Sequence, residues 1–152
     1  MHLSRFALVA ALSLSTITLA REKKIERKDL PPAVEKTVLT QSQGATVKSF
    51  SQEEENGQPY YEAEMTINGH SKDVLIDASG AVVEIEEQVT LDSVSSAVRD
   101  GLQAKAGPGK IVKVESLTKH DKLVAYEAKV QTSGKKKEIQ VGPDGKPLDH
   151  EE

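Results

Sequence analysis

The sequence predicts an α+β fold built of two tandem repeats, each a helix packed on one face of a four-stranded antiparallel sheet. Three observations predict it. The chain matches itself at a fixed offset, hydrophobic spacing changes once in each half from a helical to an alternating period, and Gly-bearing turns separate the alternating runs. Shifted by 65 residues, Tyr61-Glu62-Ala63 falls on Tyr126-Glu127-Ala128. In the same register Met65 meets Val130, Val74 meets Ile139, Ile76 meets Val141 and Gly80 meets Gly145. Val47-Lys48 meets Val112-Lys113, whereas Val34 and Val38 meet Val94 and Val98 at a shift of 60. The second repeat is therefore expected to carry about five extra residues, placed at the Gly107-Pro108-Gly109 turn.

In chain order, residues 1–20 read as a secretory signal peptide. Arg5 supplies the positive start, Phe6 to Leu14 the apolar stretch, and Thr18-Leu19-Ala20 the small-residue cleavage site. The apolar run is too short to cross about 30 Å of hydrocarbon, so no stable membrane anchor is expected after cleavage. Residues 21–28 read as a flexible basic lead-in. Repeat 1 is assigned to 29–88 and repeat 2 to 89–152.

Within repeat 1, Leu30, Val34 and Val38 have helical spacing, Pro31 and Pro32 sit where a first turn has no donor to lose, and Gly44 stops the helix. Strands follow from Thr46 to Ser51, across Tyr61, Ala63, Met65 and Ile67 after one turn, back over Lys72 to Ile76 after Asn68-Gly69, and from Val82 to Glu86 after Asp77-Ala78-Ser79-Gly80. Repeat 2 starts its helix at Asp92 as N-cap and runs through Val94, Val98 and Leu102 to Gly107. Gly101 inside it costs about 1 kcal/mol against Ala, so this helix is expected to depend on docking. A strand from Lys110 to Ser116 follows; then Val124, Tyr126, Ala128 and Val130 face inward, with Ile139 and Val141 on the return.

A helix opening with Leu-Pro, a Tyr-Glu-Ala strand, a Gly turn, a short return strand and Asp-x-x-Gly before an acidic strand resembles the PepSY-like domains grouped with β-lactamase-inhibitor-like proteins. The likeness covers Leu30 to Glu87 and about Leu91 to Glu152, the second copy lacking the Leu-Pro opening. It implies a secreted bacterial protein that binds or inhibits another protein.

Composition narrows the chemistry. Aromatic residues make up 3% of the chain with no Trp, and the net charge is -4, so no nucleic-acid partner is expected. With no Cys there is no disulfide framework, thiol nucleophile or lipid-attachment cysteine. The sequence has no HExxH, GxSxG, Walker lysine or GxGxxG, and no catalytic residue, cofactor or metal site is assigned. His70, His120 and His150 fall in turns, loops or the tail. Glu62 and Glu64 share the wet face of a strand and are expected to be solvated, as are Glu53-Glu54-Glu55 and Glu86-Glu87. Lys135-Lys136-Lys137 is read as edge protection. The expected function is a non-catalytic binding module of the periplasm or medium, an inhibitor or adaptor of an extracytoplasmic protein such as a peptidase, with Tyr60, Glu62, Glu64, Leu123, Glu127 and Lys129 as its partner-binding face. The alternative is an envelope sensor of a small ligand or cation, using Asp77-x-Ser79-Gly80 and Asp144-Gly145 as oxygen ligands.

Overall fold

The computed structural model describes residues 22–150 and 152; the expected signal segment, 1–20, lies outside the described residues. The chain forms β1 (Lys23–Ile25), a 3-10 turn (Arg27–Asp29), α1 (Pro32–Gln41), β2 (Thr46–Glu55), β3 (Gln58–Ile67), β4 (His70–Asp77) and β5 (Val82–Val89). After these come α2 (Ser96–Ala106), β6 (Lys110–Lys119), β7 (Lys122–Thr132) and β8 (Lys135–Val141). All eight strands belong to one antiparallel sheet, ordered as in the sequence.

This architecture corrects the predicted fold class. The described residues are mostly β, with two short α-helices on a single continuous sheet, and not two tandem helix-plus-four-strand units. β5 pairs with β6 from Glu84 opposite Lys119 to Val89 opposite Val114. The two predicted four-stranded sheets are thereby joined into one, and among the described residues three strands follow α2 where four were predicted. Pairing these edges satisfies backbone groups that separate sheets would leave open. Alternation in a sequence reports which face a side chain takes; it does not report the lateral neighbour. The lead-in is corrected as well: Lys23–Ile25 is not loose but pairs with β2.

Four of the hairpin connections are tight turns of one kind. Asn56-Gly57, Asn68-Gly69, His120-Asp121 and Ser133-Gly134 each place two consecutive residues at positive φ, the geometry that matches hairpin twist.

Both helices lie on the same side of the sheet. Val74, in the cluster beneath α1, is opposite Ile85, and Val89, two pleats along the same strand, is opposite Val114, in the cluster beneath α2. The first core gathers Leu30, Val34, Val38, Tyr61, Ala63, Met65, Val74 and Ile76. The second gathers Val94, Val98, Leu102, Ala106, Val114, Ala128, Val130, Ile139 and Val141.

These buried positions correct the offset. Leu30, Val34 and Val38 correspond to Val94, Val98 and Leu102, all 64 residues on, and β2 and β6 begin 64 residues apart at Thr46 and Lys110. Val47, opposite Met65, therefore corresponds to Ile111, opposite Val130, while Val112 is a bulge residue left exposed. From Tyr126 onward the offset is 65. No five-residue insertion exists; one extra residue, Val124, is absorbed where Leu117 faces Ala125 and Thr118 faces Leu123. The N-cap of α2 is also corrected: it is Ser95, whose Oγ accepts a hydrogen bond from the Val98 amide at 3.2 Å, and not Asp92.

Candidate functional site

Among the described residues, the side of the sheet away from α1 and α2 carries no helix, so strand alternation delivers every second side chain of eight strands to one open face. At about 4.8 Å per strand this face spans about 34 Å. Its chemistry can be built row by row from the register. Ser51, Glu62, Leu75, Glu84 and Lys119 form one cross-strand row over β2 to β6. Glu64, Asp73, Glu86, Leu117 and Ala125 form the next. Gln88, Glu115, Glu127 and Gln140 form a third over β5 to β8.

The structure brings most of the predicted face residues to this surface. Tyr60, Glu62 and Glu64 lie on β3, with Glu127 and Lys129 on β7. Leu123 does not join them. The Val124 bulge sets Leu123 opposite Thr118, which pairs with Ile85 of the helix side, so the register slip turns Leu123 to the other face. A one-residue slip has this effect on any strand.

The carboxylates are less solvated than their alternation suggests. Glu53, Glu62, Asp73, Glu84 and Glu86, with Leu75, line a recess of ≈ 210 Å³. Burial is the largest cause that raises the pKa of each of the five from its ordinary value. Glu86 is pushed up to about 7, first by desolvation and then by the neighbouring charges of Glu115, Glu127, Glu84 and Asp73. Its cross-strand neighbour Leu117 is 3% exposed, and Ala125 beyond it is 0% exposed, which gives Glu86 an apolar flank. Glu53 and Glu86 had read as solvated loop and end; β2 runs on to Glu55 and β5 to Val89, which draws both into the sheet. Asp73, Glu84 and Glu115 were not singled out from sequence. The signal available for them was the alternation of β4 to β6, which sets them on the Glu62 face.

Farther along the sheet, lysines pair with two of the acids. Glu115, 2% exposed, meets Lys113 Nζ at 2.6 Å and Lys129 Nζ at 3.6 Å, and Lys129 reaches Glu138 at 3.4 Å. Gln140 Nε2 donates to Glu127, and its Oε1 accepts from the Glu152 amide at 2.9 Å. Carboxylate oxygens of Asp73, Glu86 and Glu115 lie within 4.8 Å of one another, but Glu115 is already held by the two lysines.

The Asp-x-x-Gly turns use their oxygens internally. Asp77 Oδ1 accepts from the Ser79 amide at 2.8 Å, the Ser79 hydroxyl at 2.6 Å and the Ala81 amide at 3.0 Å, and the Ser79 hydroxyl above all lowers its pKa. Asp144 accepts from the Lys146 amide at 3.1 Å and pairs with its ammonium at 2.8 Å. This is turn chemistry.

Comparison with known proteins bears on the fold. No protein-family model matches the sequence, and no curated protein matches it. Solved structures do. A Bacteroides eggerthii protein described as periplasmic matches with a TM-score of 0.63 and 20% identity over 78% of this chain and 86% of its own. A DUF2874 family protein of Bacteroides ovatus gives 0.61 and 22% over 78% and 84%. A BLIP-like protein of Bacteroides fragilis gives 0.57 and 19% over 76% and 81%. At these identities the likeness shows a shared fold.

Proposed function

We propose that the protein is a non-catalytic binding module of the periplasm that holds another extracytoplasmic protein on the open face of its sheet, as an inhibitor or adaptor, for example of a peptidase. The continuous open face carries this reading. Both helices lie behind the sheet, and the exposed side offers Tyr60 among charged groups over a span suited to the roughly 800 Å² that each partner contributes to a standard interface. Support for the periplasm comes from the signal-like N-terminal sequence and from the structural neighbour described as periplasmic. The resemblance to PepSY-like domains agrees with a protein partner.

A carboxyl group titrating near neutrality, as Glu86 does, also suits general acid–base work. Binding is the better reading because the carboxylates lie on a sheet surface and their recess, at ≈ 210 Å³, falls below the roughly 300–1,000 Å³ of small-molecule sites.

Affinity capture from a periplasmic extract tests the proposal. Wild type and the helix-side control Leu39→Ser should capture one protein saturably, and Tyr60→Ala combined with Glu64→Lys should lose it. Recovery of the same protein by the double variant would rule out this face.

A further inference from the structure

We infer that the β2–β5 half of the open face receives a lysine or arginine side chain of the partner protein, its aliphatic stem on Leu75 and its cationic head among the surrounding carboxylates. The inference rests on the binding role proposed above and names the chemistry of the occupant.

Charge complementarity is the first support. Among the described residues, the ion pair reaching the recess is Lys119 to Glu84 at 3.7 Å, and Lys119 is shared with Glu152 at 3.6 Å. Glu53, Glu62, Asp73 and Glu86 have no ion-pair partner within 4.0 Å among those residues. Desolvation above all raises the pKa of Glu53, Glu62 and Glu86, neighbouring carboxylates add to it, and no cation offsets it, whereas Lys113 and Lys129 partly offset it at Asp73. The α2 half supplies the contrast, since Lys113 and Lys129 neutralise Glu115 there.

The floor is the second support. Leu75 stands directly between Glu62 on β3 and Glu84 on β5, so an apolar surface is ringed by acids. Lysine and arginine match that arrangement, because they bury a hydrocarbon stem while keeping the charged head among polar groups. A metal ion matches it poorly: hard cations gather six or more oxygens and gain nothing from an apolar floor. Anionic partners such as membranes or nucleic acids would be repelled.

Two synthetic peptides of equal charge test the inference on the full chain at moderate salt. One is acetylated, amidated tetralysine; the other replaces each lysine by diaminobutyric acid, whose stem is two methylenes shorter. Two methylenes at about 0.8 kcal/mol each correspond to about tenfold in affinity, so tetralysine should bind about tenfold tighter. Leu75→Ser should abolish that difference, and Glu62→Gln with Glu84→Gln should weaken both peptides. Equal binding of the two peptides by wild type, undiminished tetralysine binding by Leu75→Ser, or no binding at all would each overturn the inference. If that happens while Tyr60 and Glu64 still govern partner capture, the occupant assigned here fails and the binding face stands.

Discussion

The two helix–turn junctions perform the same task by different means. At the first, Thr37 of α1 donates its hydroxyl to the Gly80 carbonyl at 2.6 Å. At the corresponding junction of α2 the residue is Gly101, and a Cβ there would sit 2.0 Å from the Gly145 carbonyl oxygen. Both turn glycines abut helix backbone, a Cβ on Gly80 meeting the Ala33 carbonyl oxygen at 2.7 Å and one on Gly145 the Ala97 oxygen at 2.1 Å; the first junction adds a hydroxyl bond, and the second adds a further backbone contact through Gly101. The expected propensity cost of Gly101 is thus the condition of close packing. The open faces differ as well: in the α1 half only Glu84 of the recess acids has an ion-pair partner among the described residues, whereas in the α2 half Lys113 and Lys129 pair with Glu115 and Lys129 with Glu138. Equivalent backbone positions do not carry equivalent energetics.

The sharpest way to break this comparison is to remove core volume from one half only. Leu102→Ala should cost about 3 kcal/mol, and Val38→Ala, its counterpart, less, because fewer methyl groups are lost. Because β5 and β6 are paired, either variant should still melt in a single calorimetric transition; two separated transitions would show that the halves fold independently. Next in size, Gly101→Ala should destabilise by about 2 kcal/mol despite the better helix propensity of Ala, since the Gly145 carbonyl blocks the new methyl. Thr37→Val should cost about 1 kcal/mol through its lost hydrogen bond. Equal costs for these two in denaturant titrations would mean that the junctions are not built differently. Ser95→Ala should also cost about 1 kcal/mol by uncapping α2, an effect with no equivalent at α1, where Pro31 caps without a side-chain bond.

The comparison also extends to pH dependence. Between about 4.5 and 7 the folded protein retains a proton on Glu86 that the unfolded chain has released. Stability from this group is complete below about pH 4.5 and declines as pH rises to about 7. The melting temperature should be lower at pH 8 than at pH 5, and Glu86→Gln should reduce the drop, leaving the share due to Glu53, Glu62, Asp73 and Glu84. An unchanged drop in the variant would remove Glu86 from the acidic set.

Much of this was legible in the sequence because side-chain period reports the facing of an element. Val34 and Val38 beneath α1, and Tyr61, Ala63 and Met65 on β3, lie where their spacing put them. Lateral pairing was not legible, since nothing in Val82 to Val89 names β6 as its neighbour. Bulges were equally hidden: Lys48 and Val112 interrupt a pleat without a Gly or Pro to mark them, and Val124 misdirected the assignment of Leu123. For the candidate site, the acids on β3 could be read, but the recess requires Leu75 and carboxylates from four strands. That assembly exists only once register is fixed.

The strands at the two margins of the sheet have a consequence for self-association. β1 offers Lys23 and Lys24, and β8 offers Lys135, Lys136 and Lys137, all exposed. Addition of a second molecule strand-to-strand would press ammonium groups together whichever margins met, so like-charge repulsion opposes growth of a fibril from either border, most strongly at low ionic strength.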